Sequence, residues 1–149
     1  METVIYIFDI DGTLADCSHR LHYIQQKPVD WDAFFSACDE DKPIWDTIHI
    51  LDALHDKGSV ILLVSGRRES TRGRTKDWME RHRVRYHEMY MRKDGDHRED
   101  SVVKAELLDK AMEDWKAFEV AGIFEDRKQV VDMYRAKGLR VFQVAEGNF

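Results

Sequence analysis

The chain has 149 residues, 43% hydrophobic and 35% charged, which suits one globular domain with a substantial core. No apolar run approaches the ~20 residues that cross a bilayer. The acidic start Met1-Glu2 passes directly into a strand pattern, and Cys17 and Cys38 are too few for a disulfide framework. These features predict a single cytoplasmic domain spanning 1–149, with reduced thiols and no membrane contact.

In chain order, the β-branched and aromatic run Thr3–Phe8 reads as a buried parallel strand. The stretch from about 16 to 42 mixes Tyr23, Trp31, Phe34 and Phe35 with charges and predicts a small helical cap insertion. Ile44, Ile48, Leu51 and Leu54 line one helix face, which Gly58 stops. Val60–Val64 is a second strand, Thr75–His82 a helix, and the third strand is placed around Arg83 to Met89. Val102–Phe118 and Arg127–Lys137 read as helices, with strands at Val120–Phe124 and Leu139–Val144. Trp78 and Trp115 are read as helix core residues. Strands alternating with helices imply an α/β, Rossmann-like parallel sheet of about five strands flanked by helices.

In such sheets, sites form beyond the C-terminal strand ends. Asp9, Ser65 and Asp126 all fall at or just past predicted strand ends, so three distant segments converge on one edge. Asp9 and Asp11 are two carboxylates directly after a strand, where burial is costly without a cation or hydrogen bonds. An ordinary Asp-Gly turn at Asp11-Gly12 explains the same residues nearly as well. The seven histidines show no helical pair at metal-ligand spacing with a third partner.

Charge gives a divided signal. The net charge of -6 opposes a polyanionic partner. Yet Arg67 to Arg85 holds eight basic residues against three acidic ones, a local balance of +5. That run is either a solvated helix face or a surface for nucleic acid.

Phe8-Asp9-Ile10-Asp11-Gly12-Thr13-Leu14 resembles the first motif of the haloacid dehalogenase (HAD) phosphatase superfamily. Leu63-Val64-Ser65-Gly66-Arg67 looks like the second, Lys104 fits the third, and Phe124-Glu125-Asp126-Arg127 fits the acidic fourth. The resemblance extends over nearly the whole chain to the 3′-phosphatase domain of phage-type polynucleotide kinase-phosphatases. It is carried by Ser65-Gly66-Arg67 with the Thr75/Trp78 helix, by Gly95-Asp96-His97-Arg98-Glu99-Asp100 before Lys104, and by the Phe142 to Phe149 ending. One departure is Glu125, where such relatives carry aspartate. No Gly-x-x-x-x-Gly-Lys-Ser/Thr loop occurs, so no kinase activity is expected.

The resemblance implies Asp9 as nucleophile and Asp11 as general acid and base, staying protonated when substrate is bound. It implies Ser65, Gly66 and Lys104 as the phosphate cradle, with Arg20, Arg67 and Asp100 contacting substrate. Magnesium (Mg2+) would be held by Asp9, the backbone carbonyl of Asp11, and Asp126. Asp100 could equally be a helix N-cap. The implied substrate is a nucleic-acid 3′ end, DNA or RNA, with a separate kinase or ligase as possible partner. A small-molecule or nucleotide phosphatase is the alternative, and a non-enzymatic binding module is disfavoured by the intact motifs.

Overall fold

The computed structural model describes residues 2–147. Its strands and helices, in order, are β1 (Ile5–Phe8), β2 (Ala15–Asp16), α1 (His22–Gln25), α2 (Trp31–Ser36), β3 (Lys42–Pro43), α3 (Trp45–Asp56) and β4 (Val60–Arg68). They continue as α4 (Arg72–Arg81), β5 (Glu88–Arg92), α5 (Asp100–Asp114), β6 (Val120–Arg127), α6 (Lys128–Ala136) and β7 (Val141–Gly147). Five strands form one parallel sheet in the order β5-β4-β1-β6-β7. The chain therefore reverses its direction of travel across the sheet at β1, and the switch point of such a sheet opens a crevice at the strand ends.

Side chains alternate across the sheet with the two-residue period of a strand. Ile5 and Ile7 of β1 face one apolar cluster with Leu108, Ala111, Val130 and Tyr134 of α5 and α6. Phe8 faces the other, with Ile48 and Leu51 of α3 and Trp78 and Met79 of α4. On that second face Phe8 stacks on Phe124 at 4.4 Å between ring centroids, and Phe124 on Phe142 at 4.9 Å. A Cβ at Gly122 would run into the Phe142 ring, so glycine is what lets the three rings stack.

The sequence reading of the third strand needs correction. No strand runs from Arg83; β5 begins at Glu88. The reason is the end of α4. Val84 N–H donates to Met79 C=O and Arg83 N–H to Glu80 C=O, with Arg83 in the left-handed region at φ 57°. That is a Schellman closure, in which Arg83 takes the position glycine usually holds. It consumes the residues whose apolar-polar alternation resembled a strand. β4 also extends through Arg68, past the predicted end, and α5 stops at Asp114 rather than Phe118.

Residues 17–41 leave the sheet between β2 and β3, which pair antiparallel through Ala15–Pro43 and Asp16–Lys42. This insertion is not a loose flap. Arg20, Phe34, Phe35 and Cys38 are buried, and the Arg20 guanidinium lies 4.4 Å from the Phe34 ring centre. Trp78 of α4 pins it to the sheet, its indole N–H donating to the Asp41 carbonyl at 2.8 Å. Cys17 and Cys38 are free thiols. Among the described residues no helix is long and apolar enough to cross a membrane.

Trp78 is both fully buried and the link between layers. Trp78→Ala is expected to lower the unfolding free energy by about 3–5 kcal/mol, read from the denaturant midpoint. A loss below about 1 kcal/mol would mean the insertion is held in place by other contacts.

Candidate active site

Asp9 is the first residue past β1, and its N–H still donates to Phe124 C=O of β6. This register places Asp9 beside Glu125 and Asp126, near the end of β6. Carboxylate oxygens of Asp9, Glu125 and Asp126 lie within 4.8 Å of one another, and all three residues are buried. Lys104, on α5, reaches into the cluster: its Nζ is 2.8 Å from Asp9 Oδ1, 2.8 Å from Glu125 Oε2 and 3.4 Å from Asp100 Oδ2. Burial works against the ammonium charge, but Asp100, Asp9 and Glu125 outweigh it and hold Lys104 protonated.

One lysine does not balance this many carboxylates. Burial, then the charge of Asp9, pushes Glu125 well above the usual range despite Lys104. The same two causes push Asp126 up to about 8. A group raised in this way is short of positive charge nearby. An all-oxygen set of this kind suits a hard divalent cation such as magnesium. The individual atoms divide the labour. Glu125 Oε2 accepts from Lys104, while Oε1 accepts from the amides of Asp126 and Arg127, so both of its oxygens are engaged in bracing. Asp9 Oδ2 and Asp126 Oδ1 both accept from the Thr13 hydroxyl, at 3.3 and 3.4 Å. Gly12, at φ +82°, leaves room for Asp126, whose carboxylate a Cβ there would overlap.

A second charge cluster lies behind the first. Asp11 Oδ1 accepts from Arg20 Nη2 at 2.7 Å and from Arg67 Nη2 and Nε at 2.7 and 3.0 Å. Both guanidiniums also grip Asp41: Arg20 bidentately at 2.8 and 2.6 Å, Arg67 at 3.0 Å. Arg67 Nη1 donates to Thr75 Oγ1, and Arg20 Nη1 to Phe34 C=O. Two buried cations thus face two carboxylates. Burial raises Asp11, but Arg67 and Arg20 more than reverse that and hold it well below the usual carboxylate range. The resemblance implies a protonated Asp11 with substrate bound; Arg67 and Arg20 by themselves favour its ionised form.

The remaining sequence-derived residues can now be located. Asp9, Asp11, Gly66, Asp100, Lys104 and Asp126 line one cavity of about 70 Å³. Arg20 and Arg67 stand behind Asp11. Ser65 is buried on β4, its hydroxyl accepting from the Arg67 amide at 3.0 Å. Asp100 is the first residue of α5 rather than its N-cap, which is Glu99. Its carboxylate meets Arg92 at 3.1 Å and Arg127 at 3.4 Å as well as Lys104. Gly66 is glycine because a Cβ there would collide with that carboxylate. Sequence reasoning missed Asp41, Arg92 and Thr13. Thr13 lay inside the quoted motif and could have been found; Asp41 and Arg92 carry no local signal.

The model of the polynucleotide kinase PNKP phosphatase domain family matches residues 3–149. A chain in the solved Pnkp1/Rnl/Hen1 RNA repair complex is similar to 99% of this chain at 28% identity, with a TM-score of 0.82. A chain in a second Pnkp1/Rnl/Hen1 structure matches 99% at 29% identity and 0.81. This chain spans 44% and 47% of those two chains, less than half their length. The class C acid phosphatase from Bacillus anthracis with tungstate bound shares the fold at 16% identity, covering 100% of this chain and 69% of its own, at a TM-score of 0.66.

Two outcomes test this geometry. Burial and the charge of Asp9 push Asp126 up to about 8 from an ordinary 3.8, so without a bound cation the folded state should bind more protons between those values. Its contribution to stability must then fall as pH rises through that window. Thermal midpoints in chelator should decline accordingly, and the decline should shrink in Asp126→Asn; an unchanged slope would contradict the crowding. Second, Asp41→Ala leaves Arg20 and Arg67 short of a carboxylate and should cost about 3–5 kcal/mol of stability. A neutral result in chemical denaturation would show that Asp11 alone balances both arginines.

Proposed function

We infer the chemistry from one premise: the chain belongs to the family of polynucleotide kinase PNKP phosphatase domains and is a HAD-type phosphatase. We propose that it removes 3′-terminal phosphate from DNA or RNA through an aspartyl-phosphate on Asp9. The observation that carries this reading is the arrangement around Asp9. One of its oxygens is fixed by Lys104, and the other is turned toward Asp126.

Covalent catalysis divides a difficult hydrolysis into two easier displacements. In the first, a carboxylate oxygen of Asp9 bonds to phosphorus as the P–O bond to the 3′ oxygen breaks, and Asp11 gives its proton to that oxygen. In the second, water attacks the phosphorus of the aspartyl-phosphate, Asp11 takes the water's proton, and the P–O bond to Asp9 breaks, which restores its carboxylate and releases inorganic phosphate. Magnesium, when bound by Asp9, Asp126 and the Asp11 carbonyl, supplies the positive charge that lets a carboxylate approach a phosphate. Lys104 and the Ser65-Gly66 segment hold the non-bridging oxygens where charge must be stabilised. Glu125 fixes Lys104 and the Asp126 backbone, which gives a glutamate a sufficient role at that position.

Asp11 can hold a proton only if the pull of Arg67 and Arg20 on its ionised form is offset. A phosphate bound in the cavity that Asp11 lines adds negative charge beside this carboxylate, and a like charge raises a carboxyl's proton affinity. Substrate binding thereby favours protonated Asp11 when a general acid is needed. Arg67 and Arg20 position Asp11 from behind, and Asp41 keeps both guanidiniums in place. Residues 17–41 act as a cap over the site. The 3′-hydroxyl product is the group a strand-joining enzyme consumes, so a ligase, with a separate kinase to prepare the 5′ end, is the proposed partner.

The direct assay supplies Mg2+ and matched oligonucleotides phosphorylated at either the 3′ or the 5′ end, with free mononucleotides alongside. Faster phosphate release from the 3′ oligomer is expected; equal or better turnover of mononucleotides would favour a nucleotidase. Asp9→Asn should lower kcat by at least about 10⁴-fold. Asp11→Asn should lower it by about 10²–10⁴-fold. Near-normal turnover by Asp9→Asn would exclude the covalent route.

A further inference from the structure

The cavity over Asp9, about 70 Å³, is far below the ~300 Å³ at which pockets begin to enclose a small-molecule ligand. It can hold a phosphate-sized group, and the rest of a nucleotide must lie beside it. A second cavity of about 350 Å³ adjoins it, with Trp31, Phe35, Arg92, Asp100 and Arg127 shared between the two. The inserted segment makes one wall of this second cavity aromatic. Trp31 lies 6.0 Å from Phe35 between ring centroids, inclined by 25°, and Arg68 sits 4.8 Å from the centre of the Phe35 ring. Trp31 is 44% exposed, whereas Phe35 behind it is buried.

An exposed indole with a rigid aromatic backing, beside a phosphate-sized pocket, is more than an ordinary surface tryptophan. Trp45 is similarly exposed but lines neither cavity. Arg68 adds a cation at the same wall. Its side-chain partner is Asp32, at 2.6 Å and 87% exposed. A water-exposed ion pair of this kind contributes little and yields readily to a better anion.

We propose that Trp31, backed by Phe35, is the stacking platform for the base of the nucleotide whose 3′-phosphate lies over Asp9, with Arg68 meeting the adjoining backbone phosphate. The inference rests on the 3′-phosphatase reading and extends it to how the polymer end is held. Every base has a π face, so stacking accepts any sequence and fits an enzyme that must act on strand ends in general. A sugar phosphate or an end that has lost its base lacks this hold.

The test measures kcat/KM for wild type, Trp31→Ala and Trp31→Tyr. Two 3′-phosphorylated single-stranded oligonucleotides are compared, identical except that one ends in an abasic sugar. The penalty of Trp31→Ala should be about 5- to 150-fold larger on the base-bearing end, the span that stacking of one base corresponds to. The effect should appear mainly in KM, and Trp31→Tyr should restore most of it. Equal penalties on the two ends, or none on either, overturn the stacking role, while wild-type turnover of both leaves the 3′-phosphatase reading standing. Failure of wild type to release phosphate from either oligonucleotide overturns both.

Discussion

Three buried carboxylates share one lysine at the end of the central strand, and much of the local architecture follows from that imbalance. Asp9, Glu125 and Asp126 are brought together by strand register, since β1 and β6 pair in parallel up to Phe8 and Phe124, the residues before Asp9 and Glu125. Mutual repulsion in a buried site would be prohibitive without compensation. Lys104 supplies one positive charge, and two backbone amides brace Glu125. The remaining deficit shows as the raised proton affinity of Asp126 and Glu125. Small residues are required around such a cluster, which is why Gly12 faces Asp126 and Gly66 faces Asp100.

Behind it, Asp11, Arg20, Arg67 and Asp41 are charge-balanced. The two clusters are joined through the short turn between Asp9 and Asp11. In the proposed reaction the unbalanced cluster attracts a metal, whose charge would admit a phosphate, and the balanced one responds to the negative charge the phosphate brings beside Asp11. Two neighbouring carboxyls can then perform different tasks because their electrostatic surroundings differ. Trp78 bonds to the backbone of Asp41, so the packing of α4 against the sheet also sets the position of the arginine clamp.

The parts of this arrangement that were legible in the sequence are those encoded locally. The apolar run before Asp9 and the alternation of strand and helix patterns gave the sheet, because a buried parallel strand and an amphipathic helix each leave a periodic trace. Arg83 to His87 misled, because a helix closure built on a non-glycine residue at positive φ has no distinctive sequence sign. Asp41 was illegible for a different reason. Its partners include Arg20 and Arg67, 21 and 26 residues away, and no local spacing links positions that far apart in the chain. The state of Asp11 was likewise beyond reach, since it depends on two guanidiniums converging on a single oxygen atom.

The central step of the proposed reaction is a bond between Asp9 and phosphorus. Rapid acid quenching of the protein during turnover of a 3′-phosphorylated oligonucleotide with Mg2+, followed by peptide mass analysis, would look for that bond. A phosphoryl adduct on the Asp9 peptide, forming and decaying at rates compatible with turnover and absent from Asp9→Asn, is the predicted result. Sustained phosphate release with no adduct at any quench time, together with inversion rather than retention at a chirally labelled phosphorus, would contradict it.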